Sequence, residues 1–306
     1  MLKIEKIPYK GWQNCYQLSN GLVDLIVTAD VGPRIIRFGF MDEVNQFMEV
    51  EDDLGKVGSD AWRLYGGHRL WHAPEHDPRT YSSDNEQVQV EVGTDHLSVI
   101  QNIEATTGIQ KEMGIHLHPE EAKVSIVHKL TNCNPWAIEF APWALSVMAP
   151  GGKAFIPLPP RRTYDGNLLP TGSIALWSYT NLADQRWSWG EEFVILQQNK
   201  NQQTPQKAGF QVVDGWTAYH RDGDLFIKSF DYDPTAIYPD KNSNVELFTN
   251  ADLLEVETLG KLNTVLPQQS VEHEETWLLE KMAFEKEEKI IKIISELIKK
   301  EKSNDN

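Results

Sequence analysis

Until its last twenty residues, this chain keeps no helical hydrophobic period. What recurs is the two-residue alternation of half-buried strands, rich in β-branched and aromatic residues and cut short at close intervals. Residues 23–28, 34–40, 87–92, 96–100, 123–130, 138–147, 192–197, 225–230, 244–249, 253–258 and 270–279 all read this way. Turn chemistry separates them: Asn20-Gly21, Gly32-Pro33, Pro150-Gly151-Gly152, Asp165-Gly166-Asn167, Asp214-Gly215 and Asp222-Gly223. Many short strands without a fixed repeat or a Pro/Ser-rich linker predict an all-β chain built as one large antiparallel sandwich.

The exception is the tail. Residues 285–302 carry Ile290, Ile291, Ile294, Leu297 and Ile298 on one stripe of an amphipathic helix among lysines and glutamates. The expected organisation is a sandwich domain over residues 1–282, a helix over 283–302 that packs on the chain's own sandwich, and a frayed tail over 303–306.

Charge narrows the partners. A formal net charge of −16 argues against nucleic acid and anionic membranes. A small molecule remains the expected partner, with the protein a monomer or homodimer. Cys15 and Cys133 lie far apart, and no Cys-x-x-Cys occurs, so neither a disulfide framework nor a zinc knuckle is implied. The N-terminus lacks an apolar signal core and no long apolar run follows, which reads as cytoplasmic.

Two constellations carry chemistry. Residues 65–77, Tyr-Gly-Gly-His-Arg-Leu-Trp-His-Ala-Pro-Glu-His-Asp, crowd three histidines, an arginine, a tryptophan and two acids around Gly66, Gly67 and Pro74. That density reads as a Gly-rich loop forming a polar ligand pocket, with Trp71 as an apolar plate and His68, Arg69, His72 and Glu75 around it. The second lies in residues 244–260. If 253–258 is a strand, Glu255 and Glu257 share one face at about 6.8 Å, close enough for one to raise the other's pKa. The same pair on an edge strand would be a solvated face.

Val256-Glu257-Thr258, on a strand late in an all-β chain, resembles the Leu-Glu-Thr/Pro segment that carries the catalytic glutamate of aldose 1-epimerases (galactose mutarotases) and glucose-6-phosphate 1-epimerases. Tyr65-Gly66-Gly67-His68-Arg69-Leu70-Trp71 sits where those families have a Gly-Gly-x-Pro segment beside the sugar. Leu130-Thr131-Asn132 and the strand after it resemble their Leu-Thr-Asn element. Gly-Gly-His-Arg-Leu-Trp, Ala-Pro-Trp-Ala-Leu, Tyr-Pro-Asp and Leu-Glu-Val-Glu-Thr-Leu-Gly together are similar to an uncharacterised bacterial branch of the galactose mutarotase-like superfamily, over about residues 11–279.

The resemblance implies a β-supersandwich that binds a sugar or sugar derivative, without a cofactor or a metal. Its default chemistry is 1-epimerisation: a carboxylate takes the anomeric hydroxyl proton while an acid, usually His, protonates the ring oxygen. Matching makes Glu257 the base, with Glu255 tuning it. Where the epimerases carry that His, this chain has Trp143 in Phe140-Ala141-Pro142-Trp143-Ala144, which offers no acid. The acid would come from the Gly-Gly segment, from His68, His72 or Arg69. The alternative is a carbohydrate-binding or sensing protein that lost turnover with the histidine.

Trp71 and Trp143 are the expected sugar platforms. Asp240, in Tyr238-Pro239-Asp240, is a candidate hydroxyl acceptor against a plain turn carboxylate. Arg34 and Arg69 would recognise an anionic ligand, whereas Arg161 and Arg162 read as surface residues. His116 and His118 share a strand face but have no third metal ligand at close range.

Overall fold

In the computed structural model, which describes residues 2–282 and 292–298, alternation builds the strands as the sequence pattern requires. Ile109–Leu117 and Lys123–Asn132 alternate buried and half-buried side chains along their length, so each lays one face on a core. Val23–Thr28 and Gly67–Ala73 are buried at every position.

Two antiparallel sheets stack. The larger runs, edge to edge, through Lys3–Tyr9 (β1), Trp12–Ser19 (β2), Val23–Thr28 (β3), Arg34–Phe40 (β4), Gly67–Ala73 (β5), Ile138–Met148 (β10), Leu254–Leu259 (β19), Val245–Thr249 (β18), Gln206–Phe210 (β15) and Ile174–Leu176 (β12), and Asn263–Val265 (β20) also pairs with β10. The second runs Trp187–Trp189 (β13), Phe193–Gln197 (β14), Lys153–Pro157 (β11), Trp216–Arg221 (β16), Asp224–Ser229 (β17), Ser270–Lys281 (β21), Lys123–Asn132 (β9), Ile109–Leu117 (β8), His96–Ile100 (β7) and Gln89–Val92 (β6). Between them lies one large apolar core, with Leu25, Phe38, Phe47, Ile126, Val194, Phe226, Val256 and Trp277 among its buried members. The all-β sandwich expected from the pattern is the observed architecture.

The outer faces are treated differently. On the second sheet, Phe155, Ile195, Trp216, Leu225 and Ile227 are buried against Ile294 and Ile298 of a helix over residues 292–298. The amphipathic tail therefore covers its own sandwich. Ile290, Ile291 and residues 303–306 lie outside the described residues. On the larger sheet, Trp12, Cys15, Ile26 and Ile36 are closed over by Tyr65 and Leu54 from the segment after β4. The outer side of β5, β10, β19, β18 and β15 carries the cleft described below.

One expectation about local structure is corrected. From its second glycine on, the Gly-Gly-His-Arg-Leu-Trp-His segment is strand β5 rather than a loop, paired with β10 and briefly with β4. Its glycines serve the backbone: Gly66 and Gly67 have φ of +93° and +73°, and a Cβ would meet Met48 O at 2.0 Å and Ile35 O at 2.4 Å respectively. Only glycine fits both demands.

Candidate functional site

Because side chains alternate across a strand, β5 sends Arg69 and Trp71 outward, β10 sends Trp143 and Leu145, β19 sends Glu255 and Glu257, and β15 sends Lys207. Register brings them together: Trp71 pairs with Trp143, Leu145 with Glu257, Glu257 with Glu246 of β18, and Phe248 with both Glu255 and Lys207. The result is a cleft of about 360 Å³, closed at its sides by Trp62, Glu75, Tyr81, Tyr179 and Asn250. Trp71 meets Trp143 edge to face at 5.4 Å and Tyr81 at 5.4 Å, a geometry that favours rigid aromatic walls.

Two charged groups occupy the floor. Glu257 is fully buried; its Oε2 accepts from Trp143 Nε1 at 2.9 Å and Lys207 Nζ at 3.2 Å, while Oε1 has no partner among the described residues. Lys207 also pairs with Glu246 at 2.7 Å and lies over the rings of Trp143 and Trp177. Burial works against its charge, but Glu257 and Glu246 outweigh burial and hold the ammonium well above its ordinary range. Burial likewise pushes the Glu246 carboxyl far above the usual carboxylate range, against the pull of Lys207.

The second group is Arg69–Glu255. Arg69 Nη2 donates to Glu255 Oε1 at 3.1 Å, and the guanidinium lies 4.2 Å from the Trp71 ring centre and 5.5 Å from that of Trp62. Burial raises the Glu255 carboxyl to about 7; Arg69 opposes this and Glu257 adds to it. Glu75 accepts from the Tyr81 hydroxyl at the cleft wall.

Arg69, Trp71, Glu75, Trp143, Glu255 and Glu257 thus line one cleft. The other named candidates do not, and strand parity explains most of the difference. His68 and His72 point from β5 to the opposite face, into the space between the sheets. His72 lies 3.7 Å from Glu104, which pairs with Lys111. Arg34 donates to the carbonyls of Leu64 and Gly66 and to Asp84 at 2.6 Å, so it anchors the covering segment rather than a ligand. Asp240 stands in a tight turn with φ 46° and does not line the cleft. Arg161 is exposed and paired with Glu191, as a surface residue should be.

Lys207, Glu246, Trp62, Tyr81 and Tyr179 were not foreseen. For Glu246 a signal existed: Val245 and Leu247 alternate with Glu246 and Phe248, placing the glutamate opposite the core side. Lys207 sits in Gln-Lys-Ala-Gly-Phe, which has no legible period.

The interior face of these strands carries its own polar chain. Ser146 Oγ donates to His68 Nδ1 at 2.9 Å, His68 Nε2 to His128 Nε2 at 2.7 Å, and His128 Nδ1 to His273 O at 3.0 Å, which assigns one proton to each ring. Lys228 pairs with Glu275 at 2.8 Å, and Trp277 Nε1 donates to Glu275 at 2.7 Å. Among the described residues, His68, His128 and Glu275 are the group whose ligand atoms lie close enough to hold an ion. Two nitrogens on one tetrahedral ion stand about 3.3 Å apart. The closer His68–His128 approach, with an ammonium already on Glu275, fits a hydrogen-bonded network better.

No protein-family model matches the chain, and no curated protein does. Solved structures do. A galactose mutarotase-like protein from Clostridium acetobutylicum superposes with TM-score 0.55 at 11% identity, covering 92% of this chain and 99% of that one. One from Lactobacillus casei gives 0.54 at 8%, covering 87% and 100%. A galactose mutarotase related enzyme from Lactobacillus acidophilus gives 0.52 at 10%, covering 89% and 99%. Among the described residues no helix is long and apolar enough to cross a membrane. At such identities the likeness is one of fold, and that fold is the galactose mutarotase-like β-sandwich.

Proposed function

We propose that the cleft binds the pyranose ring of a reducing sugar and interconverts its anomers, with Glu257 as the base that takes the proton of the C1 hydroxyl. One observation carries this reading: a carboxylate at the floor of an aromatic cleft has one oxygen fixed by two donors and the other unpartnered among the described residues. Fixing Oε2 orients the carboxylate before substrate arrives, and preorganisation of that kind is where enzymes gain most. Trp71 and Trp143 offer the apolar walls a pyranose packs against.

Interconversion of freshly dissolved α-glucose, α-galactose and their uronic acids, followed by proton NMR, tests the proposal. Wild type should accelerate the approach to anomeric equilibrium for at least one of them, and Glu257→Gln should lose about 10²–10⁴ of that acceleration. A second reading is supported by the absence of any histidine from the described residues lining the cleft: a binding protein without turnover. It predicts line broadening of the same sugars without acceleration in either variant.

A further inference from the structure

We propose that Glu255 is the general acid of this cleft, protonating the ring oxygen while Glu257 takes the hydroxyl proton, with Arg69 as its positioning residue. The proposal rests on the reading of Glu257 as base and supplies what the chain lacks at Trp143.

The geometry narrows the choice. Glu255 and Glu257 lie two residues apart on the outward face of β19, about 7 Å between Cα atoms, so both carboxyls line the one cleft. They differ in access: the Glu257 side chain is 1% exposed and the Glu255 side chain 12%. Arg69 holds Glu255 Oε1 from the side, against a Trp71 ring that keeps the guanidinium in place.

The other proton carriers facing the cleft are poorly placed for the task. Lys207 is held charged beside Glu257 and Glu246, with Glu257 the larger influence, so it can donate a hydrogen bond but resists losing its proton. The Tyr179 hydroxyl is pushed up to about 12 by burial, and Tyr81 gives its hydrogen to Glu75. Glu255 sits at about 7: burial raises it first, Glu257 and Glu75 add to that, and Arg69 and Lys207 oppose. Glu246 stands behind Lys207 and pairs with it. A group that is half protonated near neutral pH can both give and take back a proton.

The cycle then balances. Protonated Glu255 gives its proton to the ring oxygen as the C1–O5 bond breaks, and ionised Glu257 takes the C1 hydroxyl proton as the carbonyl forms. The open aldehyde turns about C1–C2. On closure Glu257 returns its proton to the carbonyl oxygen, and Glu255 takes one from the C5 hydroxyl as the ring bond re-forms on the other carbonyl face. No electron and no net proton is exchanged.

The test is the pH profile of anomer interconversion from pH 5 to 9 for wild type, Glu255→Gln, Arg69→Met and Glu257→Gln, using the sugars named above. Wild type should lose rate above about pH 7, as the acid ionises. Glu255→Gln should be about 10²-fold slower and lack that limb, and Arg69→Met should move the limb to higher pH, because the cation that lowers the carboxyl is gone. The double variant Arg69→Met/Glu255→Gln, which leaves neither charge unpaired, should be as slow as Glu255→Gln and serves in its place if the single variant does not fold. If Glu255→Gln keeps the wild-type rate and limb while Glu257→Gln is inactive, Glu255 is not the acid and the reading of Glu257 stands. If wild type accelerates none of the sugars, both fail together.

Discussion

Two sets of buried charges lie back to back on the same strands, and they solve burial in opposite ways. Between the sheets, every group of the Ser146–His68–His128 chain has a partner, and Lys228 sits directly on Glu275. Burial pushes His68 and His128 below the usual histidine range and His273 down to about 3, while Lys228 and the histidines outweigh burial and hold Glu275 below the carboxylate range. Histidines held down in this way have no proton to give near neutral pH. In the cleft, Glu257 keeps one oxygen unpartnered among the described residues, and Glu255 titrates near 7. A satisfied network specifies a structure, whereas one with spare capacity can do chemistry.

The largest effect should come from halving the interior pair. Lys228→Met leaves Glu275 uncompensated in the dry core, and should cost about 3–5 kcal/mol in urea unfolding. Arg69→Met in the cleft should cost markedly less, because Glu255 can take up a proton and stay neutral. Equal losses from the two variants would break the comparison.

Acidification should separate the two sides by sign. The interior histidines His68, His72, His128 and His273 have folded pKa values below the unfolded value of about 6.5, so the unfolded chain binds more protons below that pH, and stability should fall by up to about 1.4 kcal/mol per pH unit for each proton. Glu255 acts the other way. Its folded pKa of about 7 exceeds the ordinary carboxylate value, so its protonation stabilises the folded state as pH falls from 7 toward 4.5. Glu255→Gln should therefore steepen the acid loss, and urea midpoints at pH 7.5, 6.5 and 5.5 would measure it. An unchanged slope would mean that Glu255 does not titrate as the cleft geometry implies.

The smallest effect concerns the walls. Trp71→Phe keeps an aromatic ring but shortens the plate, and should weaken sugar affinity about three-fold with little change in unfolding. Unchanged affinity, read from NMR titration, would move the sugar away from that wall.

Legibility in the sequence follows the same division. Strands with one face on the core were readable: residues 96–100 coincide with β7, and the stretch over 123–130 is β9 less its last two residues. Strand β5 reads as a loop because both of its faces are polar, one toward the histidine chain and one toward the cleft, so no apolar period marks it. Without that period, His68 and His72 read as neighbours of Arg69 and Trp71, whereas strand parity places them back to back. The carboxylates of β19 were found because Leu254, Val256 and Thr258 alternate cleanly with them. Lys207 depends on sheet neighbours distant in sequence, which no local pattern encodes.

The Gly66-Gly67 approach to the neighbouring backbone has a consequence for how such a chain can change. Those contacts lock the entry of β5, and with it which residues look inward. Substituting a side chain on either face can retune one network while leaving the other alone. Inserting or deleting a single residue in β5 would instead exchange them, sending a guanidinium toward the buried Lys228 and an imidazole into the cleft. Lineages carrying this fold should therefore vary at Arg69, Trp71 or Trp143 by replacement, and place their length changes in the segments between strands.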